Sequence, residues 1–371
     1  MWYFQMERNS EKRVIYHYFA NFIEGKNFEM KKNSKIVFLV LIHWHMMANV
    51  YAQDLHFSQF FNSVLTTNPA NTGFIPDADF RLGAHYRNQY SALLAAPYKT
   101  ISIFADGQLL RNQIENGWLG IGGVMLSDVA GSGGLKSTKV YGSIAYHQQL
   151  GNSSLLSAGF NVGWANKRID ATKLSFPDQF DGKFFDNSLP SSVILTNSAI
   201  NYFDIQAGLN YAYFPTEEIY INGGYSIQHV NGPQETFFSG SVDSSKIPMR
   251  HIGFLNAMLK LSDRLIINPN MYYTNQARSS EFLLGMYANY NLSGSGDKQF
   301  IIGLYYRAGD AVIPMVGFEL NNIRFTFSYD ATISSLRNFN NLRGANEFSL
   351  IRKGFYNESN SDSHQVFCPK F

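Results

Sequence analysis

QFIIGLYYRAGDAVIPMVGFELNNIRFTFSYD, residues 299–330, decides the fold. In its last segment Ile323, Phe325, Phe327 and Tyr329 fall on one face, and Arg324, Thr326, Ser328 and Asp330 on the other. That period of two marks a strand with one apolar and one polar side. Asn321-Asn322, just before it, suits a two-residue hairpin turn whose residues take positive φ. Upstream, Phe300, Ile302, Leu304 and Tyr306 alternate with Ile301, Gly303, Tyr305 and Arg307. Strands of about ten residues, aromatic at their ends and charged on the second face, fit a wall between lipid and water. The rest of the chain reads as copies of this unit.

Composition agrees. Charged residues make up 16% of the 371 and aromatics 15%, with 22 Tyr and 31 Phe, against about 25% charged residues in a soluble globular protein. Mean hydropathy is −0.17, which leaves no room for a bundle of apolar transmembrane helices. A transmembrane barrel, whose strands dilute apolar residues with lumen-facing polar ones, satisfies both facts. The net charge of +2 and the lack of a basic run give no sign of nucleic acid. The single cysteine, Cys368, excludes an intramolecular disulfide framework and a cysteine metal cluster.

Along the chain, Met30-Lys31-Lys32-Asn33-Ser34-Lys35 reads as a basic n-region, followed by the apolar run 36–42 and the small residues of Val50-Tyr51-Ala52 before Gln53. This predicts a signal peptide over 30–52, cleaved near Ala52, because the run is too short to span a membrane. Residues 1–29 read as an upstream extension, with translation beginning at Met30. Residues 53–78 show no period of two and predict a periplasmic N-terminal segment that plugs the barrel mouth, with turns at Asn68-Pro69 and Asn71-Thr72-Gly73. The barrel itself is expected over 79–352 and a polar tail over 353–371.

Fourteen strands are predicted, near 79–90, 99–110, 116–128, 136–150, 154–167, 201–214, 218–230, 247–261, 264–274, 279–292, 298–308, 311–320, 322–331 and 345–352. Their connections sort by parity. Even-numbered ones include the short Gly151-Asn152-Ser153, Pro215-Thr216-Glu217 and Asn321-Asn322, whereas the longest, near 168–200, 231–246 and 332–344, are odd-numbered. An all-β, antiparallel, up-and-down transmembrane barrel with short periplasmic turns and long outer loops sorts its loops this way. An even strand count also closes without a free edge, which lipid would not tolerate.

With the apolar face turned to lipid, Arg81, His85, Arg87, Asp106, Arg307, Glu319, Arg324, Asp330 and Glu347 point inward, since a charge facing lipid near the midplane costs about 2–4 kcal/mol. Closure pairs the last strand with the first and brings Glu347 within reach of Arg81 or Arg87. Two roles stand for these charges: an ion-pair network bracing a filled lumen, or a docking surface for an exported segment. In the 168–200 loop, Phe176, Phe180, Phe184 and Phe185 among Asp and Lys predict either a partner contact or a lid over the pore.

Enzyme signatures are absent: there is no G-x-S-x-G, H-E-x-x-H or Walker motif. His85 and His147 lie on inward faces with serines nearby, which is weak evidence for a hydrolase. His229 and His251 are too far apart in sequence to suggest a metal site, and no cofactor is implied. Asp128 and GSGG at 131–134 join two strands with no helix to supply a phosphate-binding dipole, so they predict an external hairpin.

An ordered set of segments carries a family resemblance: QDLHFSQFFNSVLTTNPANTGF at 53–74, YRNQY at 86–90, YRAGDAVIPMVGFEL at 306–320, SYDATISSL at 328–336, GANEFSL at 344–350 and CPKF at 368–371. Together they resemble the PorP/SprF family of Bacteroidetes outer-membrane proteins, over essentially all of 53–371. The resemblance implies an outer-membrane barrel of the type IX secretion system and its gliding-motility branch. Such a barrel is non-enzymatic and helps secrete or anchor an adhesin or effector with a C-terminal secretion domain. Its partners would be that protein, other secretion components and membrane lipid. After Leu350 the sequence IRKGFYNESNSDSHQVF turns polar where the family continues a strand, which predicts a short last strand. The alternative function is a passive outer-membrane channel for a hydrophilic or hydrophobic solute.

Overall fold

Alternation along each strand builds a closed wall. The computed structural model describes residues 56–356, apart from 112, 132–133, 171, 173, 175, 187, 194–196 and 239–244. The predicted signal peptide, its expected cleavage site and Cys368 lie outside the described residues. The strands are β1 (Phe80–Gln89), β2 (Tyr98–Leu109), β3 (Gly117–Ala130), β4 (Leu135–Gln149), β5 (Ser154–Arg168), β6 (Ala199–Thr216) and β7 (Ile219–Gln228). They continue with β8 (Arg250–Ser262), β9 (Leu265–Gln276), β10 (Ser279–Asn291), β11 (Lys298–Arg307), β12 (Ala311–Leu320), β13 (Ile323–Thr332) and β14 (Arg343–Gly354). Each pairs antiparallel with its sequence neighbours, and β14 closes on β1 with Arg87 opposite Glu347 and Arg81 opposite Lys353.

The apolar set faces outward. Ile103, Ile144, Phe160, Val162, Phe203, Ile302 and Phe318 are exposed on the outside, while their neighbours Ser102, Ser143, Asn161 and Asp204 are buried inside. The greasy residues therefore do not meet between stacked sheets. They form a continuous apolar outer surface far larger than soluble monomers expose, with the strand lengths a bilayer requires. Among the described residues no helix is long and apolar enough to cross a membrane, so the strands make the crossing.

Turn chemistry follows the sequence at one end of the barrel. Asn321 (φ 48°) and Asn322 (φ 65°) take the left-handed conformation that a two-residue hairpin needs. The long connections β5–β6, β7–β8 and β13–β14 gather at the other end. The last strand is where expectation and structure part: it extends to Gly354, pairing Ile351, Arg352 and Lys353 with Gly83, Leu82 and Arg81. Lys353 on its inner face finds Asp77 at 2.6 Å, while Arg352 is exposed on the outer face.

Inside the wall runs the segment from His56 to Asp79. It holds a helical turn, α1 (Val64–Thr67), and a 3-10 turn at Pro69–Asn71, whose N-cap Asn68 accepts a hydrogen bond from the Ala70 N–H at 2.8 Å. Three apolar contacts seat it on the inner wall. Phe60 packs into Ile252, Tyr272, Leu283, Ile301 and Ile313 of β8–β12, and Phe57 and Leu65 pack against Phe104, Val124 and Tyr141 of β2–β4. Phe74 meets Trp118, Leu155, Phe214 and Tyr220. The sequence reading placed this segment at the periplasmic mouth. It reaches further, because Phe57 and Ser58 lie beside the long-loop ends of the strands while Gly73 lies beside the short-turn ends.

Candidate functional site

At the long-loop end, the start of the plug is tied to a knot of charges. The Ser58 and Gln59 backbone N–H groups donate to the two oxygens of Glu347, each at 2.8 Å. Arg87 donates to the same carboxylate at 2.9 Å and to Asp330 at 2.8 Å, and Arg307 donates to Asp330 at 2.9 Å. Ser58 Oγ stands among them, accepting from Arg87 at 2.7 Å and Arg307 at 2.5 Å and lying 3.0 Å from both Asp330 oxygens. Glu281 lies 3.6 Å from Arg307 and 3.2 Å from His56. Arg87, Arg307, Asp330 and Glu347 are all buried. Each charge has an opposite neighbour, the condition for tolerating ions away from water. β1, β11, β13 and β14 supply the four because period-two alternation puts residues of the same parity on the inner face.

A second latch holds the other end of the plug. Arg81 grips Asp106 through two bonds of 3.0 and 2.7 Å, and Asp106 also accepts the Gly73 N–H at 2.8 Å. Trp118 Nε1 donates to Gly73 O at 2.9 Å. His147 Nε2 lies 2.8 Å from Thr72 O, a carbonyl that can only accept, so Nε2 carries the proton and Nδ1 is left to accept from Ser157 Oγ at 2.7 Å. Between the latches, Asn68 Nδ2 donates to Leu209 O at 2.8 Å, and Ser226 Oγ to Thr67 O at 2.7 Å. The wall carries glycine where the plug lies closest: a Cβ on Gly120 would stand 1.9 Å from Thr72 O, and one on Gly208 1.9 Å from Asn68 Oδ1.

The residues expected in one network thus fall into three groups. Arg87, Arg307, Asp330 and Glu347 form the knot, Arg81 and Asp106 the second latch, and Glu319 with Arg324 a cross-strand pair at 2.6 Å near the short turns. The sequence reading missed Ser58, Gln59 and Glu281, and also the buried Asp204, which takes His229 at 2.9 Å and the Tyr141 hydroxyl at 2.7 Å. His85 is buried between Phe57 and Phe104, and among the described residues neither ring nitrogen makes a hydrogen bond of good geometry. His251 lies on another face, 2.6 Å from Tyr225 OH. Among the described residues no group of three His, Cys, Asp or Glu is placed to hold a metal ion.

The β5–β6 loop is built rather than loose. Phe180 and Phe185 form a bridge with ring centres 5.2 Å apart, and Lys183 lies 5.2 Å from the centre of the Phe184 ring. Phe176 donates its N–H to Gln179 at 3.0 Å. Phe180, Phe184 and Phe185 remain 48%, 65% and 58% exposed. Its turns are held by carboxylates: Asp178 accepts from the Ser192 N–H, Asp181 from the Phe184 N–H and Asp186 from Ser188. These bonds hold all three carboxyls below the ordinary range. The Asn197 N–H reaches Phe237 O at 3.2 Å, joining this loop to that between β7 and β8.

A fourteen-strand wall, apolar outside and latched around its own N-terminal segment, defines a plugged membrane β-barrel. A sequence model described as type IX secretion system membrane protein PorP/SprF matches residues 49–351, and the chain belongs to that family. The segments that carried the resemblance supply Ser58, Arg87, Arg307, Asp330 and Glu347, all of which meet in the knot. Among solved structures, a TodX ΔS2S3 mutant monoaromatic hydrocarbon channel aligns with TM-score 0.50 and 12% identity, over 78% of this chain and 93% of that one. The Ralstonia pickettii toluene transporter TbuX gives 0.46 and 12%, over 79% and 94%. The P. putida toluene transporter TodX gives 0.47 and 11%, over 80% and 95%. At such identities the likeness concerns architecture alone. No curated protein sequence matches the chain.

Proposed function

We propose that this protein is a non-enzymatic outer-membrane barrel of the type IX secretion system. In this reading it presents its 168–200 and 231–246 loops to a secreted or surface-anchored protein, an adhesin or effector with a C-terminal secretion domain. The short turns face the periplasm, the signal peptide is removed near Ala52, and the long loops and the charge knot face outward. The plug carries this reading, because a lumen latched at Glu347 and again at Asp106 serves as a platform rather than as a conduit. Family membership and the exposed phenylalanines of the loop support it. In the rival reading, a passive solute channel, the plug must leave before anything passes.

Two measurements test the proposal. The purified barrel in planar bilayers passes almost no current, where a passive channel gives steady open-pore conductance. Deleting 168–200 leaves a heat-modifiable barrel on gels but removes the partner captured from native outer membranes. Capture that survives the deletion discards the loop assignment.

A further inference from the structure

Among the described residues the lumen holds a cavity beside the second latch. It measures about 170 Å³ and lies between the plug and β7–β10, toward the short-turn end. Across its wall runs a rung of amides: Asn222 on β7 stands opposite Asn256 on β8, which stands opposite Asn270 on β9. Neighbouring members are about 4.8 Å apart, the spacing of adjacent strands. Asn268 lies on the same face of β9, two residues away. Asn222, Asn268 and Asn270 are 9%, 2% and 4% exposed, so these amides have been withdrawn from bulk water.

Much of their hydrogen-bonding capacity is unspent. Asn270 accepts from Tyr305 OH at 2.7 Å and donates to Asn256 Oδ1 at 3.2 Å, and Asn268 donates to Asn289 at 3.0 Å. The Asn222 side chain makes no hydrogen bond among the described residues, and the Asn256 NH₂ group donates to none. A buried amide in this condition calls for a partner in the cavity. Charged ligands fit poorly, because the charges at the rim are already matched: Lys353 to Asp77 at 2.6 Å and Arg81 to Asp106 at 2.7 Å. A purely apolar ligand would strand the amides. Phe254 and Met258 add an apolar flank to the same cavity.

We propose that this cavity binds a neutral saccharide, one pyranose ring at a time, entering from the short-turn side. Side-chain amides offer donor and acceptor together, the complement of neighbouring hydroxyls, and the apolar flank takes the C–H face of the ring. This site goes beyond the secretion reading and stands without it.

The test is saturation-transfer NMR on the full barrel in lauryldimethylamine oxide, a detergent without sugar. The probes are D-glucose, D-galactose and N-acetyl-D-glucosamine, with gluconate and glucosamine as charged controls. Transfer to at least one neutral sugar is expected, with at least tenfold weaker binding in Asn222→Leu and Asn256→Leu. Met258→Trp, on the inner face of β8 two residues from Asn256, fills the cavity while leaving every amide in place, so it must weaken binding equally if the amide variants fail to fold. The proposal is overturned by wild-type protein that transfers to none of the neutral sugars, by charged controls that bind as well, or by folded variants that bind unchanged.

Discussion

Glu347→Ala tests whether the plug is held by the knot. The carboxylate takes two backbone N–H groups at 2.8 Å and Arg87 at 2.9 Å, with no exposure to solvent. Removing one partner of a buried ion pair costs about 3–5 kcal/mol, because the remaining charge stays buried and uncompensated. Here Asp330 still faces Arg87 at 2.8 Å, which places the cost toward the lower end. The loss falls on plug seating rather than on barrel closure, since the β1–β14 ladder depends on backbone groups that the substitution leaves alone. At tenfold per 1.4 kcal/mol, the unseated population rises by about two to three and a half orders of magnitude. Hydrogen exchange at Ser58 and Gln59 should accelerate accordingly, and planar bilayers should show intermittent openings. Glu347→Gln keeps a single acceptor oxygen for the two N–H groups and should fall between. Unchanged exchange at Ser58 and Gln59 in a folded Glu347→Ala barrel refutes the latch.

Three further outcomes follow from the same geometry. Gly208→Val places side-chain atoms where Asn68 and Pro69 now stand. It should cost about 1–3 kcal/mol by overpacking, seen as faster exchange at Ala70 and Asn71 with the barrel still heat-modifiable. Phe184→Ala with Phe185→Ala should leave the melting temperature within a few degrees, as exposed substitutions do, yet reduce partner capture as far as deleting the loop does. In the same loop, the Asp178, Asp181 and Asp186 carboxyls are held below their ordinary 3.8 by hydrogen bonds to the charged form. Their contribution to loop order is therefore complete above pH 3.8 and is lost as pH falls through the lowered values. Limited proteolysis of 168–200 should be constant from pH 7 to 5 and accelerate only below about 3.8.

The wall was legible because lipid and lumen impose a rule that each strand obeys locally. Ile323, Phe325 and Phe327 against Arg324, Thr326 and Ser328 need no distant partner to be read. The inward charges followed from the same rule, but their partners did not: Glu319–Arg324 is a neighbouring-strand pair, whereas Ser58 meets Glu347 across 289 residues. The plug resisted reading for that reason. FSQFFNS at 57–63 has no period because it is not a strand, and its fit is decided by the wall it enters. Its polar backbone is satisfied by Glu347, its Phe60 by Tyr272 and its turn by glycines on β3 and β6. The length of β14 was missed because Arg352 and Lys353 look like a tail until β1 pairs with them and Asp77 receives Lys353.

The position of the knot ties plug seating to closure. Glu347 belongs to β14 and Arg87 to β1, the two strands that meet at the seam, and Asp330 belongs to β13 beside them. Before the seam forms, Arg87 and Glu347 lie at opposite ends of an open sheet, and Ser58 can engage only one side. Once it forms, the two charges are fixed opposite each other, and a closed lumen with no plug would hold buried ions lacking Ser58 and Gln59 as partners. A barrel that closed first would also have to admit Phe57, Phe60 and Leu65 past Arg81, Asp106 and the Trp118 side chain at the far end. Both considerations favour one cooperative step, in which the seam zips around a plug already seated on the inner wall. The same geometry accounts for Lys353 near the end of the closing strand: it faces the lumen and pairs with Asp77 of the plug.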